Sequence, residues 1–288
     1  AKGLGLQIVE HSYIIKSGKL SEQQLGIYDT KLTAGLTKLT KRIHSLGTPI
    51  AIQMNHAGRV TTSKICGQQP AGPSPIPHSS EHETPRELTK HEIEELIEAF
   101  GLAANLAVEA GFDAVEVHGA HGFLLNQFLS PLSNKRNDEY GGSLENRMRF
   151  HSQIVERVKE KIGKSFPLLY RLGADDMHPE GLTLKESKVF AKNLEKWGVH
   201  VIDVSGGMRG SRPAHLTSPG YYVPLAEAIK KVVNVPVIGV GGIKTPEFAD
   251  EVIRKNRADL VAVGRAMLAD PEWALKAIET LKETFVKA

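Results

Sequence analysis

The chain has 288 residues, of which 41% are hydrophobic and 24% charged, and its formal net charge is +3. These values are typical of a globular protein with a large core, and no apolar run approaches the length that a membrane span needs. The weak, scattered charge argues against nucleic-acid binding, and the single cysteine, Cys66, excludes a disulfide framework and a multi-thiolate metal site and favours a reducing cytoplasm.

Seven short apolar runs with the composition of β-strands follow one another along the chain. They are residues 6–14, 49–56, 113–120, 167–174, 200–207, 235–242 and 258–265. Helical patterns lie between them, with apolar residues spaced to fall on one face in 32–46, 93–104 and 150–162. Apolar strands that alternate with helices predict a parallel sheet covered by helices, either doubly wound or closed into a barrel.

Residues suited to binding or catalysis lie at or just after the C-terminal ends of these runs. They are Gln53, His56, His118, His121, Arg171, Ser205, Gly206, Gly207, Gly241, Gly242, Gly264 and Arg265. A doubly wound sheet draws its ligand crevice mainly from the loops at one switch point, whereas a barrel gathers residues from nearly every strand onto one rim. The sequence therefore predicts an α/β barrel with its site at that rim.

The last two runs end in glycine-rich turns, "GVGGI" and "AVGRAM", the second of which supplies Arg265. Such turns leave backbone N–H groups free, and barrels of this kind commonly hold a phosphate group after strands seven and eight. The pattern indicates a phosphorylated substrate or cofactor. The alternative is that the glycines only end strands and that Arg265 pairs with a surface acid.

Four segments resemble the Old Yellow Enzyme family of FMN-dependent ene-reductases, and the likeness runs nearly end to end. They are residues 53–59, 84–100, 110–150 and 257–273, of which the third is long and specific. The resemblance implies a single catalytic domain over residues 1–288, folded as a (β/α)8 TIM barrel. It also implies non-covalent FMN that is reduced by NADH or NADPH and reoxidised by an activated alkene or a related acceptor.

The resemblance implies a set of FMN contacts, position by position. They are Gln53, Arg171, Gly242, Gly264, Arg265 and, where relatives usually carry a small residue, His11. An amide such as Gln53 suits the pyrimidine edge of the flavin, and a fixed charge such as Arg171 stabilises the anionic reduced flavin beside N1 and O2. The alternatives are a backbone-bonded amide for Gln53 and a rim salt bridge to Asp175 or Asp176 for Arg171.

His118 and His121 match the family's pair of donors to the carbonyl oxygen of the substrate. Negative charge develops on that oxygen when hydride adds to the β-carbon of an enone, so two fixed N–H donors stabilise the transition state. A metal site is an alternative, but the sequence pattern places no carboxylate, cysteine or third histidine near the pair. A second alternative is a satisfied hydrogen-bond network at the rim.

Phe123 occupies the position where the resemblance implies a tyrosine that protonates the α-carbon. Phenylalanine has no proton to give, and general acid assistance is typically worth ~10²–10⁴ in rate. Ordinary enones should therefore be reduced more slowly than by relatives that carry tyrosine. The proton could instead come from water, or from one of the rim candidates, Tyr13, Tyr170, Tyr221 and Tyr222.

The chain opens with "AKGLGLQIVE", which reads as the end of a first helix followed by the family's second strand. We expect preceding residues in the native protein, because the family's first strand and most of its first helix have no counterpart here. Residues 67–85 are rich in proline, glycine and serine and predict a loop over the substrate side of the site.

The expected function is hydride transfer from NAD(P)H through FMN to an α,β-unsaturated carbonyl compound. Within the same family, Phe123 leaves open an NADH-dependent flavin oxidase or a quinone or 2,4-dienoyl reductase. A catalytically degenerate flavin-binding barrel and a metal-dependent aldolase-like barrel are alternatives of other classes. The expected partner is a small-molecule substrate, with no nucleic acid and no membrane, and the chain could form a homo-oligomer.

Overall fold

The computed structural model describes residues 2–208, 210 and 215–286. The strands are β1 (Gln7–Tyr13), β2 (Ile50–Asn55), β3 (Ala71–Gly72), β4 (Arg86–Glu87), β5 (Ala114–Gly119), β6 (Leu168–Gly173), β7 (Val201–Ser205), β8 (Val237–Gly239) and β9 (Leu260–Val261). The α-helices are α1 (Thr33–His44), α2 (Ser63–Cys66), α3 (Lys90–Glu109), α4 (Leu124–Leu129), α5 (Leu144–Ile162), α6 (Leu184–Trp197), α7 (Val223–Lys230), α8 (Pro246–Arg254), α9 (Arg265–Ala269) and α10 (Trp273–Val286).

Seven of the strands form one parallel sheet in the order β1-β2-β5-β6-β7-β8-β9, so that each strand pairs with the next one along the chain. Sequential parallel pairing with helical crossovers is the order of a βα barrel. Each of the seven apolar runs contains one of these strands, so the predicted α/β barrel class is confirmed. Within the described residues β1 and β9 do not pair with each other, and the curled sheet is open between them.

The helices begin where the sequence supplies capping groups. Thr89 and Glu92 form a capping box at the start of α3, and Thr183 and Glu186 form another at the start of α6. The predicted apolar face of 93–104 is buried against the sheet. In the part of the chain that the structure describes, no helix is both long and apolar enough to cross a membrane.

The strands are buried on both faces, and the two faces differ in chemistry. In β2 all six residues are buried, with Ile52 and Met54 packed in the hydrophobic core and Gln53 between them directed inward. Successive side chains of a strand point to opposite faces, so the inward positions of neighbouring strands form layers inside the barrel. Polar side chains on the inward face need hydrogen-bond partners inside the barrel, because burying an unpaired polar group costs free energy. The candidate site is built from them.

Candidate active site

Four rings meet at the C-terminal rim of the barrel, and we call His11, His118, His121 and Phe123 the imidazole cluster. The ring centroids of His118 and His121 lie 5.1 Å apart with the planes at 76°. Phe123 lies 5.0 Å from His118 and 5.1 Å from His11, again between ring centroids. The structure therefore brings together the two predicted donors and the residue at the proton-donor position.

His118, at the end of β5, is held in one tautomer. The backbone N–H of Ala120 donates to its Nδ1 over 3.2 Å, so the ring proton is on Nε2. Burial, with the nearby charges of His121, His11 and Arg171, lowers the pKa of His118 well below its usual 6.5. The imidazole is neutral at ordinary pH and presents a single N–H donor.

His121 sits in a tight turn between β5 and α4 that needs left-handed backbone at two successive residues. The φ angles of His121 and Gly122 are 61° and 79°. Asn126 Oδ1 accepts from the Gly122 N–H over 2.8 Å, and Gln127 Nε2 donates to the Gly122 carbonyl over 2.6 Å. Across the barrel mouth, His121 Nε2 lies 2.7 Å from Ser205 Oγ at the end of β7. These contacts hold a strained residue in a defined orientation.

His11 corrects one expectation from the sequence, which placed no third histidine near the pair. Its ring lies 6.2 Å from that of His118, because the curled sheet brings the ends of β1 and β5 to the same rim. Its Nδ1 is 2.9 Å from Gln24 Nε2, which also donates to the His11 carbonyl. Even so, no group of three or more His, Cys, Asp or Glu side chains in the described residues is arranged to hold a metal ion.

Phe123 precedes the first residue of α4 and keeps only 8% of its surface exposed. Four tyrosines are candidates for a replacement proton donor at the rim, and for Tyr170 this prediction is wrong. Its hydroxyl is 2.6 Å from Nδ1 of His151 in α5, and both side chains are fully buried between sheet and helix. Tyr170 lies one residue before Arg171 and therefore on the outward face of β6.

The other three tyrosines differ in what their rings contact. Tyr13 stacks on Tyr28 with ring centroids 5.1 Å apart. Tyr221 accepts a hydrogen bond from Arg265. Tyr222 is 1% exposed, and its hydroxyl has no hydrogen-bond partner among the described residues. Burial raises the pKa of Tyr222, while the charge of Arg171 lowers it in part.

Below the imidazole cluster, the barrel interior holds four polar side chains that we call the carboxylate network: Gln53, Glu116, Arg171 and Asp203. Gln53 Nε2 donates to Glu116 Oε2 over 2.5 Å, and Arg171 Nη1 donates to Asp203 Oδ2. Gln53 is thus bonded to a side chain and not to backbone. The alternative partner of Arg171 is also corrected: it pairs with Asp203, which faces it directly in the β6–β7 register, and not with a rim acid.

Both carboxyl groups of the carboxylate network are fully buried, and the reasoning from sequence missed them. Burial and the charge of Asp203 raise the pKa of Glu116 to about 8, against the opposing effect of Arg171. Burial also raises the pKa of Asp203, while the adjacent guanidinium lowers it. The sequence did contain a signal for Glu116, which is a charged residue inside an apolar strand. Because it lies two residues before His118, it shares the inward face of the strand with that residue.

The two glycine-rich turns lie side by side, because β8 pairs with β9. Gly242 has φ 69°, a conformation that favours glycine, and a Cβ there would come within 2.9 Å of the Tyr221 ring. At Gly264 a Cβ would meet nothing within 4 Å. Arg265, at the start of α9, donates from Nη2 to the Tyr221 hydroxyl over 2.8 Å and not to a surface acid. Open space, the two glycine-rich turns and a guanidinium group thus lie close together.

Asn55 is a polar residue at the rim that the sequence reading passed over. It is 1% exposed, and both its amide oxygen and its amide nitrogen lack a hydrogen-bond partner among the described residues. Asn55 lies two residues after Gln53 in β2, so it shares the inward face of that strand. A buried amide with unmet hydrogen-bonding capacity in this position indicates a ligand contact.

The predicted loop of residues 67–85 is largely irregular in the structure, with one short pairing of β3 with β4 at its base. Arg59 anchors it by donating from Nη1 to the carbonyls of Ile76 and Pro77 over 3.1 and 3.4 Å. His78 lies above the Gly122 turn, where a Cβ on the glycine would be 3.4 Å from its ring. The loop therefore reaches the turn between His121 and Phe123.

Three comparisons place the chain among known flavoproteins. A sequence model described as the NADH:flavin oxidoreductase / NADH oxidase family matches residues 1–284. The chain is 50% identical to an NADH oxidase of Thermoanaerobacter brockii, with 96% of the chain and 44% of that protein aligned. It is 46% identical to an NADPH dehydrogenase of Clostridium acetobutylicum, with 95% and 80% aligned.

Among solved structures, the chain is similar to a 2-naphthoyl-CoA reductase in complex with 2-naphthoyl-CoA. The TM-score is 0.91 at 30% identity, with 96% of the chain and 45% of that protein aligned. The chain thus spans less than half the length of this reductase and of the NADH oxidase.

The side chains present fit the FMN that the sequence resemblance implies. Arg171 Nε is buried without a hydrogen-bond partner in the described part of the chain, as is the amide of Asn55. These are the kinds of donors and acceptors that a flavin edge requires. The open space at Gly264, beside an exposed guanidinium and two glycine-rich turns, suits a phosphate group.

Proposed function

Because the chain belongs to the NADH:flavin oxidoreductase / NADH oxidase family, we propose that it binds FMN and takes hydride from NADH or NADPH. The acceptor that we propose is the C=C bond of an α,β-unsaturated carbonyl compound. The observation that carries this proposal is the pair of neutral imidazoles, His118 and His121, 5.1 Å apart at the mouth of the barrel. We also propose that residues 1–288 form one catalytic domain.

The imidazole pair acts on the carbonyl oxygen of the acceptor. His118 donates from Nε2, the only position of its ring that carries a proton. We infer that Ser205 donates its hydroxyl proton to His121 Nε2, since this assignment leaves the His121 proton on Nδ1 as the second donor. Two neutral donors bind the oxygen more strongly as it gains negative charge, so they stabilise the transition state more than the ground state.

The remaining site residues hold the cofactor. When bound, FMN accepts hydride from the nicotinamide and delivers it to the acceptor. Gln53 and Asn55 would hydrogen-bond the flavin, and Arg171 would supply positive charge to stabilise its anionic reduced form. Gly242, Gly264 and Arg265 hold the phosphate. His11 packs beside His118 and helps to exclude water from the donors.

The similarity to 2-naphthoyl-CoA reductase supports an unsaturated carbonyl acceptor. The compound in that complex has an aromatic C=C system conjugated to a thioester carbonyl, whose oxygen gains charge in the same way when hydride adds. A carbonyl oxygen that gains charge is what the donors of this site are arranged to bind.

A second candidate is an NADH oxidase or a quinone or 2,4-dienoyl reductase. Phe123 favours it, because this side chain packs against His118 and has no proton to deliver to an α-carbon. Acceptors such as oxygen or a quinone do not require a tyrosine at that position. The 50% identity to an NADH oxidase supports the same alternative.

An anaerobic visible spectrum of the protein reconstituted with FMN, before and after NADH or NADPH, distinguishes these functions. Bleaching that cyclohexenone reverses supports the enone reductase. Bleaching that only oxygen or a quinone reverses supports the second candidate. A protein that binds FMN but is not bleached by either nicotinamide contradicts both and supports a degenerate flavin-binding barrel.

A further inference from the structure

The two carboxyl groups of the carboxylate network share more than proximity to Arg171. Glu116 and Asp203 are both fully buried, on the strands that flank Arg171 on either side, and the charge of Asp203 acts on Glu116. One oxygen of Glu116 is already bonded to Gln53, and one of Asp203 to Arg171. The remaining oxygens, Glu116 Oε1 and Asp203 Oδ1, are buried and have no hydrogen-bond partner among the described residues.

Two ionised carboxylates cannot bond to each other, because each has only acceptors. The two unpartnered oxygens can satisfy each other only if one of the carboxyl groups keeps its proton, and one guanidinium balances the charge of only one carboxylate. We propose that Glu116 and Asp203 are positioning residues that hold this proton between them and so keep Arg171 and its carboxyl partners at zero net charge beneath the flavin. The inference rests on the proposed function, since it concerns the FMN site.

The proton resides mainly on Glu116. Asp203 is paired with the guanidinium of Arg171, which favours its ionised form, whereas Glu116 has the neutral amide of Gln53 as its other partner. Among the described residues, the other titratable groups on which the charge of Arg171 acts are His118, His121 and Tyr222, and burial favours the neutral form of all three.

The proton matters because it sets the total charge of Glu116, Asp203 and Arg171. With Glu116 protonated, Arg171 and Asp203 cancel, and the guanidinium can stabilise additional negative charge at the pyrimidine edge. With Glu116 ionised, the same cluster carries a charge of −1 in a buried site, where charge interactions are weakly screened. Reduction of the bound cofactor should therefore be accompanied by proton uptake at Glu116, from solvent, over the pH range in which the oxidised enzyme has lost that proton.

The first test uses infrared spectroscopy to detect the protonated carboxyl group in protein from which FMN has been removed. We expect wild-type protein to show an infrared carbonyl band of a protonated carboxyl group that persists above the usual pH range of Glu and disappears near pH 8. Glu116→Gln should lose the band, because the amide replaces the acid. Asp203→Asn should lose it too, because an amide donor then bonds Glu116 as a carboxylate. Asp113→Asn, which removes a carboxylate at the opposite end of β5, should retain it.

The second test measures the reduction potential of bound FMN against pH. In wild-type enzyme the potential should fall more steeply with pH over the range in which Glu116 ionises, because reduction takes up one extra proton. Glu116→Gln keeps donor and acceptor in place and should remove this steeper segment while matching wild type at lower pH. Asp113→Asn should leave the segment unchanged.

The outcomes separate this inference from the proposed function. A protonated-carboxyl band that survives in both Glu116→Gln and Asp203→Asn, or an unchanged steep segment in Glu116→Gln, overturns the shared proton. A wild-type band that is absent throughout also overturns it, even if the protein is yellow. Failure to bind FMN rejects the proposed function, while the infrared test still decides the position of the proton.

Discussion

His121 Nε2 and Ser205 Oγ lie 2.7 Å apart, and this contact joins the turn after β5 to the end of β7. In the proposed mechanism Ser205 donates in this contact, which leaves the His121 proton on Nδ1. The orientation of the second donor therefore depends on a serine from another strand, 84 residues away along the chain.

Ser205→Ala should impair the acceptor half of the reaction and spare the nicotinamide half. Without the hydroxyl, His121 loses its fixed tautomer, and we expect reoxidation by cyclohexenone to slow by about tenfold, the value of about one hydrogen bond. Stopped-flow absorbance measures both half-reactions. Ser187→Ala, at another fully buried serine, in helix α6, is the matched control. Equal slowing in the two variants would contradict the role of Ser205.

Phe123→Tyr should accelerate reduction of an ordinary enone by about tenfold or more. The added hydroxyl would stand among the rings of His11 and His118, where a general acid is worth ~10²–10⁴ in rate. The rate of flavin reduction by nicotinamide should not change. Phe166→Tyr, outside the rim, controls for an added hydroxyl. An unaltered enone rate would show that the proton already reaches the α-carbon by another route.

Gly122→Ala should destabilise the fold and abolish acceptor reduction. A Cβ there would lie 2.1 Å from the Met208 carbonyl oxygen, on a residue with φ 79°. Gly142→Ala is the control, because its φ of 78° is nearly the same but its Cβ would meet nothing within 4 Å. We expect a cost of about 1 kcal/mol for Gly142→Ala and about 2 kcal/mol more for Gly122→Ala. Denaturant unfolding measures both costs, and equal values would refute the close approach.

Gly264→Ala should weaken FMN binding by about tenfold or more without destabilising the apoprotein. A Cβ at Gly264 enters open space in the protein itself, so only a bound phosphate would meet it. Gly35→Ala, which also meets nothing within 4 Å, is the control. Fluorescence titration with FMN gives the affinity, and thermal unfolding without FMN gives the stability. Unchanged affinity would place the phosphate elsewhere.

Buried His151 should make the free energy of unfolding fall with falling pH. Burial lowers its pKa to about 3 in the folded protein, against about 6.5 in the unfolded chain, so between these values only the unfolded state takes up the proton. This loss amounts to about 1.4 kcal/mol per pH unit and is complete at the folded-state pKa.

The variant His151→Asn retains a partner for Tyr170 and should reduce this pH slope by that amount, as measured by denaturant unfolding at a series of pH values. His91→Asn, whose side chain is 80% exposed, should leave the slope unchanged. A slope that is the same in His151→Asn and wild type would show that the buried imidazole does not titrate as described.

The amino-acid sequence by itself determined the strand and helix order, since hydrophobic periodicity and glycine-rich turns are local patterns that the seven strands reproduce. It also indicated which residues gather at the rim, because parallel strands place their C-terminal ends on one side. It did not predict what those residues bind: Arg171 pairs with Asp203, Tyr170 turns away to His151, and His11 joins His118.

Only the tertiary structure decided these partnerships, and the reason is geometric. The curvature and register of the sheet bring residues from strands far apart in sequence to the same layer, so that Gln53 meets Glu116 and His121 meets Ser205. Burial then sets their protonation, because the cost of a charge depends on everything that surrounds it. The sequence pattern alone specifies neither which residues share a layer inside the barrel nor which of them are excluded from solvent.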